Sequence, residues 1–251
     1  MAVKQRLAGL KALVTGAGGA IGAAIVKTLA RNGATVLAVD DSETAVASLF
    51  AKDKSVIGFA TNLAEDTALR ELPHAVQREL GVLDIVVHAD GVEQVAAVAQ
   101  DGLESWLAAC DAGVQTRKSV NLALLPMLKR SPAGRIIHIA MPLALFDLDN
   151  PAAQAASRHA IGDLTRSLAA EFGELGITVN TVQPGAIMTP ALRGFFRSHA
   201  ELRDLWIRKS AAKRLGESID VAKVVLFLAT DDAAFVSGQE ILVDGGAAQF
   251  L

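Results

Sequence analysis

The sequence predicts an α/β fold, a single Rossmann-like doubly wound parallel sheet flanked by helices, and three observations carry that expectation. Short aliphatic and β-branched runs alternate with longer helical stretches along all 251 residues. Apolar residues make up 51% of the chain but aromatic ones only 4%, so the core must be built from Ala, Val, Leu and Ile, which suits strands covered by helices on both faces. The first run passes through a glycine-rich turn straight into a helix, the opening of a βαβ unit.

The strand candidates, in order, are "ALVTG" (12–16), "TVLAVD" (35–40), "VIGFAT" (56–61), "LDIVVHADG" (83–91), "RIIHIA" (135–140), "ITVNTVQPG" (177–185) and "EILVDGG" (240–246). Turn residues bound each one, and Ala-rich or amphipathic stretches lie between them. No linker, repeat or charge run interrupts the alternation, so residues 1–251 read as one domain. A net charge of -3 offers no basic footprint for nucleic acid. The one cysteine, Cys110, cannot form an internal disulfide. Lys11 and the glycines that follow break the N-terminal apolar run before a signal-peptide core forms, and no stretch reaches membrane-spanning length. A soluble, cytoplasmic protein without membrane partners is expected.

In "TGAGGAIG" (15–22), Gly16, Gly18, Gly19 and Gly22 let the backbone bend sharply and let a pyrophosphate approach the N-terminus of the next helix, whose free N–H groups favour anions. Asp40 ends the second run. A carboxylate there can accept from both hydroxyls of an adenosine ribose and would repel a 2′-phosphate, so NAD is expected rather than NADP. Asp40, Asp41 or Ser42 also suits the cap of the following helix, and the two roles are compatible.

These motifs, together with "GRIIHIA" (134–140), "GITVNTVQPGAIMTP" (176–190), "RLGESIDVAKVVLFLAT" (214–230) and "FVSGQEILVDGG" (235–246), give a chain that resembles the short-chain dehydrogenase/reductase family over nearly its whole length. The resemblance implies cofactor contacts from Gly16, Gly18, Gly19, Ile21, Gly22, Asp40, Asn62, Leu63, Gly91 and Thr189. It also implies hydride transfer between nicotinamide C4 and a carbonyl or alcohol carbon, with an Asn-Ser-Tyr-Lys tetrad. Spacing from the flanking motifs puts those four positions at Gly113, Met141, Gln154 and Arg158. All four are replaced, and the chain contains no tyrosine. Glutamine does not titrate, arginine stays protonated, and a methionine thioether cannot donate a hydrogen bond. With Ala20, Asn62 and Asp90 also departing from the family pattern, NAD is expected to bind weakly or not at all.

His88 and His138 end neighbouring runs, with His159 and Asp90 on the same side, but their spacing matches no metal motif; satisfied structural histidines and no metal are expected. Asp147 and Asp149 precede the next helix, with its cap expected at Asp149 or Asn150 rather than a pair of acids, and Cys110, one turn after Trp106, is expected to be buried. Residues 190–216, with Phe195, Phe196 and Trp206, correspond to the family's substrate lid.

Loss of the tetrad leads to the expectation of a catalytically silent subunit supporting an active NAD-dependent paralogue in a hetero-oligomer, and otherwise of a homo-oligomer. The resemblance extends that expectation to heteromeric dehydrogenases of the hydroxy(phenyl)methylsuccinyl-CoA type. Two alternatives stand beside it: an NAD- or ligand-binding regulatory protein, and an NAD-dependent oxidoreductase whose acid/base has moved to His88, His138 or Asp90.

Overall fold

A computed structural model describes residues 5–50, 53–90, 103–140 and 151–247; the side chains of 48–50, 103–107, 109–110 and 151–159 fall outside that description. Seven strands, β1 (Lys11–Thr15), β2 (Thr35–Asp40), β3 (Val56–Ala60), β4 (Ile85–His88), β5 (Arg135–Ile139), β6 (Thr178–Pro184) and β7 (Glu240–Val243), pair in the order β3-β2-β1-β4-β5-β6-β7. Every pairing is parallel. The expected fold class is therefore the observed one.

The helices are α1 (Ala20–Arg31), α2 (Glu43–Phe50), α3 (Asp66–Glu79), α4 (Leu103–Leu128), α5 (Pro151–Phe172), α6 (Pro190–Ser198), α7 (Ala200–Lys209) and α8 (Ser218–Leu228). Alternate strand residues feed two cores. Val14, Val87, Ile137 and Val182 pack with α1 and α8, whereas Leu13, Val86, Ile136 and Val179 pack with α3, α4 and α5. Burial on both faces explains why the strands read as continuous apolar runs rather than alternating ones.

The fourth run is shorter than its sequence indicates. Asp84 does not join the strand: its carboxylate accepts from the Lys11 N–H at 2.8 Å and the Ser131 hydroxyl at 2.6 Å, tying the start of β4 to its neighbours. At the other end the ladder stops at His88. Strand order reverses between β1 and β4, so the crevice beyond their carboxyl ends is where such a sheet binds ligands. No described helix is long and apolar enough to cross a membrane.

Candidate functional site

The glycine turn sits in that crevice. Gly16 has φ +62°, and a Cβ there would lie 2.5 Å from the Ala89 carbonyl carbon; one at Gly22 would collide with the Gly16 carbonyl oxygen. Both positions must be glycine for the turn to pack against β4 and enter α1. No side chain caps α1 and no acidic residue occupies its first turn, so its N–H groups and dipole remain available to an anion. Asp40 Oδ2 accepts from the Gly18 N–H at 2.8 Å and Oδ1 from the Ser42 N–H at 3.1 Å, which leaves further lone-pair capacity on each oxygen. Of the three cap candidates, it is Ser42 whose hydroxyl accepts from the Ala45 N–H, at 3.3 Å.

The other expected cofactor residues are more scattered. Ile21 is a core side chain and offers the crevice only its backbone. Asn62 is exposed and accepts from the Ala64 N–H at 3.1 Å, while Leu63 packs half-buried on the α3 side. Thr189 is buried and caps α6, its oxygen accepting from the Leu192 N–H at 3.2 Å. Gly91, Met141, Asp147, Asp149 and Asn150 lie outside the described residues, as do the side chains of Trp106, Cys110, Gln154, Arg158 and His159. The backbone of the last three belongs to α5.

Next to the turn, four buried polar side chains form a row across adjacent strands: Thr15 of β1, His88 of β4, His138 of β5 and Thr181 of β6 stand opposite one another in register. Asn121 of α4 links the two histidines. Its carbonyl accepts from His88 Nε2–H at 2.8 Å and its amide donates to His138 Nε2 at 3.1 Å. The His138 proton therefore sits on Nδ1 and is donated to Thr165 at 2.8 Å, and the Thr165 hydroxyl in turn reaches Thr181 at 2.7 Å. Burial lowers the pKa of both rings. For His138, the positive fields of His88 and Arg117 add to that effect, while Asp90 partly opposes it at His88. Both are buried and hydrogen-bonded on the Asn121 bridge.

Asp90, just beyond β4, differs in having an open edge: its side chain retains 33% exposure. Burial works to raise its pKa, but Arg117 first, then His88 and the Thr15 hydroxyl bonded to Oδ1, outweigh that and hold the carboxyl below the usual carboxylate range. Arg117 is itself buried, with Nε 3.6 Å from Asp90 Oδ2 and a terminal nitrogen donating to the backbone oxygens of Asp90 at 2.7 Å and Ile139 at 3.2 Å.

Arg117 and Asn121 were missed at the level of sequence, although a signal was there. Gly113, Arg117 and Asn121 recur every four residues and so share one face of α4. That face also buries Val120 and Leu124, so a charged residue on it called for a partner. A Cβ at Gly113 would meet open space. Among the described residues no group of three or more His, Cys, Asp or Glu side chains could hold a metal.

Comparison with known proteins places this geometry. A family described as "Enoyl-(Acyl carrier protein) reductase" matches residues 16–248. The chain belongs to the short-chain dehydrogenase/reductase family. Members of this family typically bind NAD(P). The chain is 28% identical over 246 residues to the 3-oxoacyl-(acyl-carrier-protein) reductase of Thermotoga maritima, covering 96% of this chain and 99% of that one. It is 30% identical over 245 residues to the D-threitol dehydrogenase of Mycolicibacterium smegmatis, covering 96% and 94%. A short-chain type dehydrogenase/reductase from Mycobacterium ulcerans superposes with a TM-score of 0.82 at 28% identity, over 97% of this chain and 91% of that one.

These relatives overturn the expectation of a catalytically silent subunit, because proteins matched over almost the full chain are named as a reductase and a dehydrogenase. Absence of tyrosine closes the tyrosine route only, and the fold gathers other polar groups at the same end of the sheet.

Proposed function

We propose that this chain is an NAD-dependent oxidoreductase acting on a C–OH or C=O group, with Asp90 as its relocated acid/base. The observation that carries the reading is the pairing of a part-exposed carboxylate with the buried Arg117 guanidinium, beside the glycine turn and beyond the carboxyl end of β4. His88 and His138 suit proton exchange less well, because both are buried and committed to the Asn121 bridge.

When bound, the nicotinamide supplies the hydride chemistry. The turn at Gly16, Gly18, Gly19 and Gly22, with the start of α1, would hold the pyrophosphate, and Asp40 the adenosine ribose, which favours NAD over NADP. Ile21 would contribute through its backbone, with Asn62, Leu63, Gly91 and Thr189 lining the remainder. Lacking the family's tyrosine and lysine, the site gives up ribose hydrogen bonds worth about 0.5–1.5 kcal/mol each, so weaker NAD binding than in intact relatives is part of this reading.

In the oxidative direction Asp90 takes the proton of the substrate hydroxyl and releases it to water across its exposed edge. Arg117 keeps the carboxylate ionised, so the base is ready at neutral pH, although low basicity limits how hard it can pull. The test is NAD-linked turnover by the purified chain on alcohols and hydroxy acids. Replacing Asp90→Asn should lower kcat by about 10²–10⁴-fold without weakening NADH binding measured by calorimetry. Full activity in that variant would remove Asp90 from the mechanism.

A further inference from the structure

Two carboxylates flank the glycine turn from opposite sides. Asp40 stands on the β2 side, where its Oδ2 accepts from the Gly18 N–H at 2.8 Å. Asp90 stands on the β4 side: a Cβ at Gly16 would lie 2.5 Å from the Asp90 backbone nitrogen, and the Thr15 hydroxyl donates to Asp90 Oδ1. Between them runs β1, paired with β2 along one edge and with β4 along the other. A dinucleotide with its pyrophosphate on the turn and its adenosine ribose on Asp40 therefore carries its second half across the carboxyl ends of β4 and β5. Asp90 stands on that path.

The Asp90–Arg117 pair presents its two charges unequally. The Arg117 side chain keeps 9% exposure and spends a terminal nitrogen on the backbone oxygens of Asp90 and Ile139, whereas the carboxylate keeps 33%. The exposed end of the pair is thus the negative one. Such a charge acts differently on the two parts of a dinucleotide. It repels the pyrophosphate whatever the redox state of the cofactor. It attracts the nicotinamide ring only in the oxidised form, because the ring is positively charged in NAD+ and neutral in NADH. Comparing the two forms cancels the repulsion and isolates the attraction.

We propose that Asp90 sets the redox preference of this site, holding NAD+ more tightly than NADH, so that the chain loads the oxidised cofactor and works as an alcohol oxidant. The inference rests on the oxidoreductase reading and adds its direction. Oxidation of an alcohol sends the hydroxyl proton to the Asp90 carboxylate and the hydride from carbon to the ring, leaving a carbonyl, a neutral carboxyl and NADH. The two opposite charges therefore vanish in the same step, and the neutral ring loses the counter-charge that held it. Release of the proton to water restores the carboxylate for the next NAD+.

Calorimetric titration of the parent chain and of an Asp90→Asn variant with NAD+ and with NADH tests this. Asparagine keeps the shape of the side chain and can still accept from the Thr15 hydroxyl, so the exchange removes the charge. In the parent, NAD+ should bind more tightly than NADH, and the reverse order overturns the proposal without recourse to a variant. In Asp90→Asn the ratio of the NADH to the NAD+ dissociation constant should fall about tenfold, the scale of one charge–charge interaction across a part-exposed crevice. An unchanged ratio overturns the redox preference and leaves Asp90 free to act as the base. If neither form binds, the oxidoreductase reading falls and this one with it. A shifted ratio in a chain that turns over no alcohol leaves the preference standing and removes the acid/base role.

Discussion

At the scale of the residue, the chemistry turns on what Arg117 does to Asp90. Held beside a buried guanidinium, the carboxylate stays ionised and waits as a base. An Arg117→Met variant removes the main influence that lowers the Asp90 pKa and leaves burial, which raises it. Activity that requires the ionised form should therefore show its acid limb at higher pH than in the parent, read from kcat/KM against pH. An acid limb that does not move would mean that Asp90 is not the group being titrated. The same change strips the Asp90 and Ile139 carbonyls of their donor, at a cost of about 1–3 kcal/mol, visible in the denaturation midpoint. Sequence alone pointed to Asp90 as a residue out of place, but not to Arg117, because a partner 27 positions away is invisible to local spacing.

At the scale of the element, the polar row across β1, β4, β5 and β6 makes stability pH-dependent. Folded, the His88 and His138 rings stay neutral below their ordinary value of about 6.5. Unfolded, they take up protons there. The unfolded chain thus gains protons as pH falls, and stability present at neutral pH is lost from about 6.5 downward, by up to ~1.4 kcal/mol per pH unit for each ring. Asp90, shifted downward, adds a loss only at still lower pH, through its ordinary carboxylate range. Melting temperatures between neutral and mildly acid pH should fall steeply in the parent and less steeply in a His138→Asn variant. Equal slopes would show that the ring does not titrate differently on unfolding. The strands themselves were readable because each is a short apolar run between turn residues, yet the row was not. Register, which sets one strand's residue opposite another's, appears only once the sheet is assembled.

At the scale of the whole molecule, β7 ends the sheet order among the described residues. Leu242 of β7 is exposed, as are Phe235 on the preceding connection and Phe227 and Ile219 on α8. An edge strand and exposed aromatic side chains favour pairing with another copy about a two-fold axis. Light scattering should find a symmetric oligomer, and Phe227→Glu with Phe235→Asp should dissociate it without unfolding the protomer. A monomeric parent chain would reject that expectation.

What the sequence determined by itself was the order of strands and helices, the glycine turn, the acid at the end of β2 and the absence of tyrosine. Each of these is written in composition or in spacing shorter than one element. What only the tertiary structure decided was which polar residues meet. Asp90 with Arg117, and His88 with Asn121 and His138, come from different elements, and their encounter depends on strand register and on the face α4 turns toward the sheet. Hydrogen bonding and charge pairing act over a few ångströms in space, whatever the separation along the chain.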